Sequence, residues 1–246
     1  MEEYPILGKA PITEALIDIR VKLPSKFDVK HIDAIHELIK DQYPERLEQK
    51  ISQVLIEQKE GQIRTADFKV NGYRYISSDK KQIVQTRLDG FTFSRLHPYV
   101  KWEELRQEAY RLWLFYKDIT TPESIVRVAL RYINNLSIPL PIEDFGDYLT
   151  APPIVPEGIS QLVNSFLMRI NVHEPSLDAY AIITQALEPI PPEIKRAPII
   201  LDIDVFKLKQ EGIEENDAWE IIEQLRHFKN AIFFRSVTNK LKEMYK

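Results

Sequence analysis

The chain contains no cysteine. Disulfides, thiolate nucleophiles and cysteine-bound metals are excluded together, which suits a reducing, cytoplasmic setting. Glycine is scarce, 7 residues against 16 prolines, so flexible hinges are few and rigid element ends are many. No apolar run reaches the roughly 18 residues of a membrane helix, so no membrane span is expected. The opening Met1-Glu2-Glu3-Tyr4-Pro5 is acidic and lacks the apolar stretch of a secretory signal. A net charge of −4 offers no general attraction to phosphate backbones, which makes nucleic acid a weak partner class. The phosphate-loop pattern, GxGxxG, GxSxG and HExxH are all missing. These absences argue against the commonest nucleotide, hydrolase and zinc enzymes. The chain reads as non-enzymatic, with no cofactor.

What is present is a folded protein's composition: 246 residues, 44% hydrophobic and 10% aromatic. Two landmarks recur. Ala15-Leu16 opens an apolar run that closes at Pro24, and Ala129-Leu130 opens one that closes at Pro139. Trp102-Glu103 begins a helical pattern ending at Thr120, and Trp219-Glu220 begins one ending at Thr238. The nearly equal offsets predict an internal duplication, with one half over 1–121 and the other over 122–246, or one continuous pseudo-twofold domain.

Local patterns fill in each half. Glu14 to Leu23 alternates polar and apolar residues, which predicts a strand with one buried face. Val29, Ile32, Ile35, Leu38 and Ile39 recur at helical spacing behind an Asp28 N-cap, and Pro44 ends that helix. Residues 51–95 read as a meander, with turns at Gly61, at the Asn71-Gly72 hairpin signal and at Ser77–Lys81, and a further turn or bulge at Asp89-Gly90. A long helix is predicted over 99–119. The second half reads as a strand over 124–136 and a short helix near 142–149. Strands follow near 165–173, 179–187 and 198–206, and a last helix runs from about Asn216 to near the C-terminus. The predicted fold is α+β: two tandem β-α-β-β-β-α-like halves whose antiparallel sheet carries long helices on one face.

Four segments carry a resemblance: Pro-Ile-Thr-Glu-Ala-Leu-Ile-Asp-Ile-Arg (11–20), Ser-Arg-Leu-His-Pro-Tyr-Val-Lys-Trp-Glu (94–103), Arg-Tyr-Ile-Asn (131–134), and Leu-Arg-His-Phe with Val-Thr beyond it (225–238). In them the chain resembles an uncharacterised, sporadically distributed prokaryotic family of about this length. The resemblance implies no activity. It does imply a mobile-element or defence-associated context.

The candidate site residues are Glu14, Arg20, His97, Arg127, Arg131 and Asn134. Arg127 and Arg131 share a strand face, where two guanidiniums can grip an anion; the plainer reading is pairing with carboxylates on adjacent strands. Glu14 and Arg20 lie on the polar side of the opening strand, where an opposite-charge ladder explains them equally. His97 sits at a strand-to-helix junction, placed either for an anion or for a loop carbonyl. Asn134 would add hydrogen-bond selectivity or bond the backbone. Asp202 and Asp204 point to one strand face and are weak metal candidates that lack a third ligand. The remaining histidines show no partner in the sequence.

The expected function is therefore recognition: a cytoplasmic module binding a partner protein, a second copy of itself or a small anionic ligand. The alternatives are a metal-dependent enzyme acting on nucleotides or nucleic acid through Asp202 and Asp204, or a nucleic-acid-binding protein.

Overall fold

The computed structural model describes residues 4–53, 67–191 and 193–246. The turn assigned to Gly61 lies outside them. The strands are β1 (Ile12–Lys22), β2 (Glu45–Gln53), β3 (Asp67–Ile76), β4 (Gln82–Arg87), β5 (Gly90–Leu96), β6 (Ser124–Pro139), β7 (Phe166–Glu174), β8 (Ala179–Leu187) and β9 (Arg196–Ile213). The α-helices are α1 (Ala34–Ile39), α2 (Trp102–Thr120), α3 (Glu215–Ser236) and α4 (Asn239–Glu243).

Among the described residues the nine strands form one antiparallel sheet in the order β2-β3-β4-β5-β1-β6-β9-β8-β7. Its centre is the β1–β6 pair, in which Ile17 faces Leu130 and Ile19 faces Val128. All four side chains are fully buried. Each such aliphatic side chain contributes about 2 kcal/mol through burial. The helices close the same core through Leu105, Leu112 and Trp113 of α2 and Ile222 and Leu225 of α3. Helices α2 and α3 run antiparallel, since Trp102 Nε1 donates to Glu223 at 2.8 Å while Trp113 Nε1 donates to Glu215 at 3.1 Å.

The α+β expectation is corrected. Among the described residues the chain is mostly a single nine-stranded antiparallel sheet, 42% strand against 27% helix, not an α+β fold with long helices packed on a sheet. Strand dominates because β6 and β9, 16 and 18 residues long, hydrogen-bond along almost their whole lengths. The Ala-Leu landmark is also out of register. Ala15 faces the core beside Ile17, whereas Ala129 shares the opposite face with Arg127 and Arg131. Ala15 pairs with Tyr132, three residues from Ala129, and an odd displacement along a strand changes face.

Three local expectations are corrected as well. Asn71-Gly72 is not a hairpin but lies inside β3. There Asn71 is an extra residue between the Gln49–Gly72 and Lys50–Val70 pairs. Glycine is required because a Cβ at position 72 would lie 2.1 Å from the Thr86 carbonyl oxygen. Near 142–149 only one 3-10 turn forms, Phe145–Asp147, capped by Asp144 and followed by Pro152 and Pro153. The last helix breaks at Val237, which is extended and bridges to Leu149, before Thr238 caps α4. Asp89-Gly90 does turn the chain, joining β4 to β5 through Leu88 and Asp89.

Candidate functional site

The candidate residues divide between the two faces of the sheet. Arg20, Arg127 and Arg131 lie on the face away from the core, among carboxylates. Asp18 on β1 is 5% exposed and accepts from Arg20 Nε at 3.0 Å, Arg87 Nη2 at 3.1 Å, Arg127 Nη1 at 2.8 Å and Thr92 Oγ1 at 2.7 Å. Burial opposes its ionisation, yet Arg20, Arg127, Thr92 and Arg87 together hold the carboxyl below its ordinary value. Arg20 also pairs with Asp89. Arg127 reaches on to Asp204 at 3.1 Å, and Arg131 grips Asp202 with two bonds of 2.8 and 2.6 Å. Four arginines thus meet four aspartates, leaving no net charge in the network. Glu14, half-buried on β1, adds a negative charge acting on Arg131.

The two metal candidates sit in this ladder. Burial raises the Asp204 carboxyl above its ordinary value against the pull of Arg127 and Arg131. Among the described residues no group of three or more histidines or acids is arranged to hold a metal ion.

Asn134 lies on the other face. It is 2% exposed, and its Nδ2 donates to the Leu201 carbonyl at 3.0 Å and toward that of Tyr132 at 3.4 Å. His97 stands at the end of β5, its Nδ1 3.4 Å from the Ile12 carbonyl.

Beside Asn134 is a cavity of about 380 Å³. One wall is the N-terminal segment from Tyr4 to Ile12, whose Tyr4 ring stacks on Phe234 at 4.9 Å. Tyr99 and Trp102 form a second wall, Tyr132 and Asn134 the floor, and Arg226, Lys229 and Phe233 of α3 the third wall. Four segments distant in sequence, at 11–12, 99–103, 132–134 and 226–234, thus meet here.

Lys229 is the residue that the sequence reading missed. It is 8% exposed, and among the described residues its ammonium has no carboxylate or hydrogen-bond partner. Its Nζ lies 3.7 Å from the centroid of the Tyr132 ring. Burial, reinforced by Arg226, lowers its pKa to about 7. Arg226 is itself shared with Glu223 at 2.7 Å and lies over the Trp102 ring. The Tyr99 and Tyr132 hydroxyls hydrogen-bond at 3.0 Å, and burial pushes Tyr99 up to about 12 and holds Tyr132 well above its ordinary value. The signal was present in the sequence: Ile222, Leu225, Lys229 and Phe233 form one buried helical stripe with a lysine inside it.

A larger open groove of about 810 Å³ runs between α2 and the 77–82 turn. Its chief charges are already engaged, Glu108 with both Arg111 and Tyr43.

Comparison with protein-family models finds no match, and comparison with curated proteins finds none. No helix among the described residues is long and apolar enough to cross a membrane.

Proposed function

We propose that the protein is a non-enzymatic cytoplasmic recognition module that takes up a small organic anion in the cavity between the N-terminal segment and α3. One observation carries this reading: Lys229, buried in the wall of a ligand-sized space, has no ion-paired carboxylate among the described residues. An uncompensated buried charge is costly, and a bound carboxylate would offset that cost. Aromatic walls with a few convergent polar groups suit an apolar body carrying one charged head. The arginines of the opposite face, Arg20, Arg127 and Arg131, serve the fold in this reading, because each is spent on an aspartate.

The test is calorimetric titration with benzoate as probe, together with native mass spectrometry of gently purified protein. An anion held by Lys229 binds its protonated form, so affinity should fall about tenfold per pH unit above 7. Affinity independent of pH, or unaffected by Lys229→Met, would overturn the reading.

A second reading is favoured by β7, an edge strand that exposes Leu167, Ile170 and Val172. An open edge of this kind accepts a strand from another copy or a partner. Light scattering of wild type and Ile170→Lys decides it; a monomer in both cases removes self-association.

A further inference from the structure

We infer that Lys229 is a covalent capture site, forming an imine with a carbonyl compound, an aldehyde or 2-oxo acid, that enters the cavity. The inference rests on the cavity reading proposed above and names the ligand's reactive group.

An amine becomes a nucleophile when its charge is removed. Lys229 sits in an apolar stripe of α3, against the Tyr132 ring and, among the described residues, without a carboxylate to stabilise an ammonium. Lysines desolvated in this way, next to a second cation, form Schiff bases with carbonyl substrates. The titratable groups around it are Arg226 on its own helix, Tyr132 on β6, Tyr99 and Lys101 just before α2, Glu103 in its first turn, and Tyr4. Arg226 is the group that opposes its protonation, and burial is the larger cause.

The chemistry closes without a further reagent. The neutral Lys229 nitrogen adds to the carbonyl carbon, and the displaced C–O electron pair takes up a proton. The resulting carbinolamine loses its hydroxyl as water. The Tyr99–Tyr132 hydroxyl pair on the cavity wall relays two protons from the nitrogen to the oxygen, one to the alkoxide and one to the departing hydroxyl, and ends in its starting state. One C=O becomes one C=N, one water leaves, and nothing is oxidised or reduced. Arg226 holds Glu223 through Nη1, and its remaining N–H groups, which make no other hydrogen bond among the described residues, are the donors for a carboxylate on the same ligand. The carbonyl oxygen of Asn134, which accepts no hydrogen bond among the described residues, meets a donor on it.

Two probes separate this inference from simple anion binding. 4-Carboxybenzaldehyde carries both the acid and the carbonyl, and 4-(hydroxymethyl)benzoate carries the acid alone. The full chain is treated with the aldehyde and sodium cyanoborohydride at about pH 7.5, then mapped by peptide mass spectrometry. Lys229 should gain the aldehyde's mass less one oxygen atom, at least about tenfold faster than the exposed lysines. Lys229→Met should lose that adduct and keep the slow surface labelling. The selectivity is read within wild-type protein and so does not depend on how the variant folds. Melting-temperature shifts with the alcohol probe report the anion reading separately. If the alcohol binds and Lys229 labels no faster than the surface, imine capture is overturned and anion binding stands. If Lys229 labels selectively without alcohol binding, capture stands and the anion reading falls. If neither occurs, both fall.

Discussion

The Arg127 guanidinium donates to Asp18 at 2.8 Å and to Asp204 at 3.1 Å, so one side chain on β6 ties β1 to β9. The bond crosses the centre of the sheet, where the first and last thirds of the chain meet. The Arg127 side chain is 20% exposed and that of Asp18 only 7%, so solvent screens the contact weakly.

Arg127→Ala should destabilise the protein by about 3 kcal/mol, because it leaves two half-buried or buried carboxylates short of a donor. Urea unfolding at pH 7 measures this. Asp18 titrates below 3.8 in the folded state. As pH falls below 3.8 the unfolded chain takes its proton first, so stability is lost until Asp18 itself protonates. The variant should show a shallower loss over that window, since Asp18 is less strongly held. An unchanged acid profile would contradict the assignment.

Lys229→Met should raise stability at pH 7, the reverse of a usual core substitution, because it removes a buried amine that has no carboxylate partner among the described residues. In wild type the unfolded lysine stays protonated up to 10.5 while the folded one loses its proton near 7. The unfolded state then binds more protons, and stability rises with pH above 7 by up to about 1.4 kcal/mol per unit. Melting curves from pH 7 to 9 should show this slope in wild type and its loss in Lys229→Met. Equal slopes would mean that Lys229 is not buried as a neutral amine.

Gly72→Ala should cost about 2 kcal/mol or more, since the added methyl meets the Thr86 carbonyl oxygen and β3 must shift from β4. Thermal unfolding tests it. A neutral substitution would mean that the two strands are not so closely apposed.

Millimolar Mg²⁺ or Mn²⁺ should leave the melting temperature within about 1 °C, because Asp202 and Asp204 are already neutralised by Arg131 and Arg127. A dose-dependent rise would restore the metal-dependent enzyme as a reading.

Part of this protein was legible residue by residue. The alternation from Glu14 to Leu23 marked β1, and the apolar spacing from Trp102 to Tyr116 marked α2. Such patterns survive because burial of one face is a local demand with a fixed period. Asn71-Gly72 misled for a related reason: the pair suits a tight turn, but glycine also suits close approach of two backbones, and only the position of β4 tells them apart. The Trp102 and Trp219 landmarks marked two helices correctly and said nothing of how they face each other.

The candidate site was less legible. The sequence alone decided that Arg127 and Arg131 share a face, and that Asp202 and Asp204 do, because successive side chains of a strand alternate. Only the tertiary structure decided that β6 lies against β9, and so that these charges satisfy one another instead of waiting for a ligand. The cavity belongs wholly to the second category. Its walls come from Tyr4, Tyr99, Tyr132 and Lys229, far apart in the chain, and a lysine's partner, or its lack of one, exists only once the chain is folded around it.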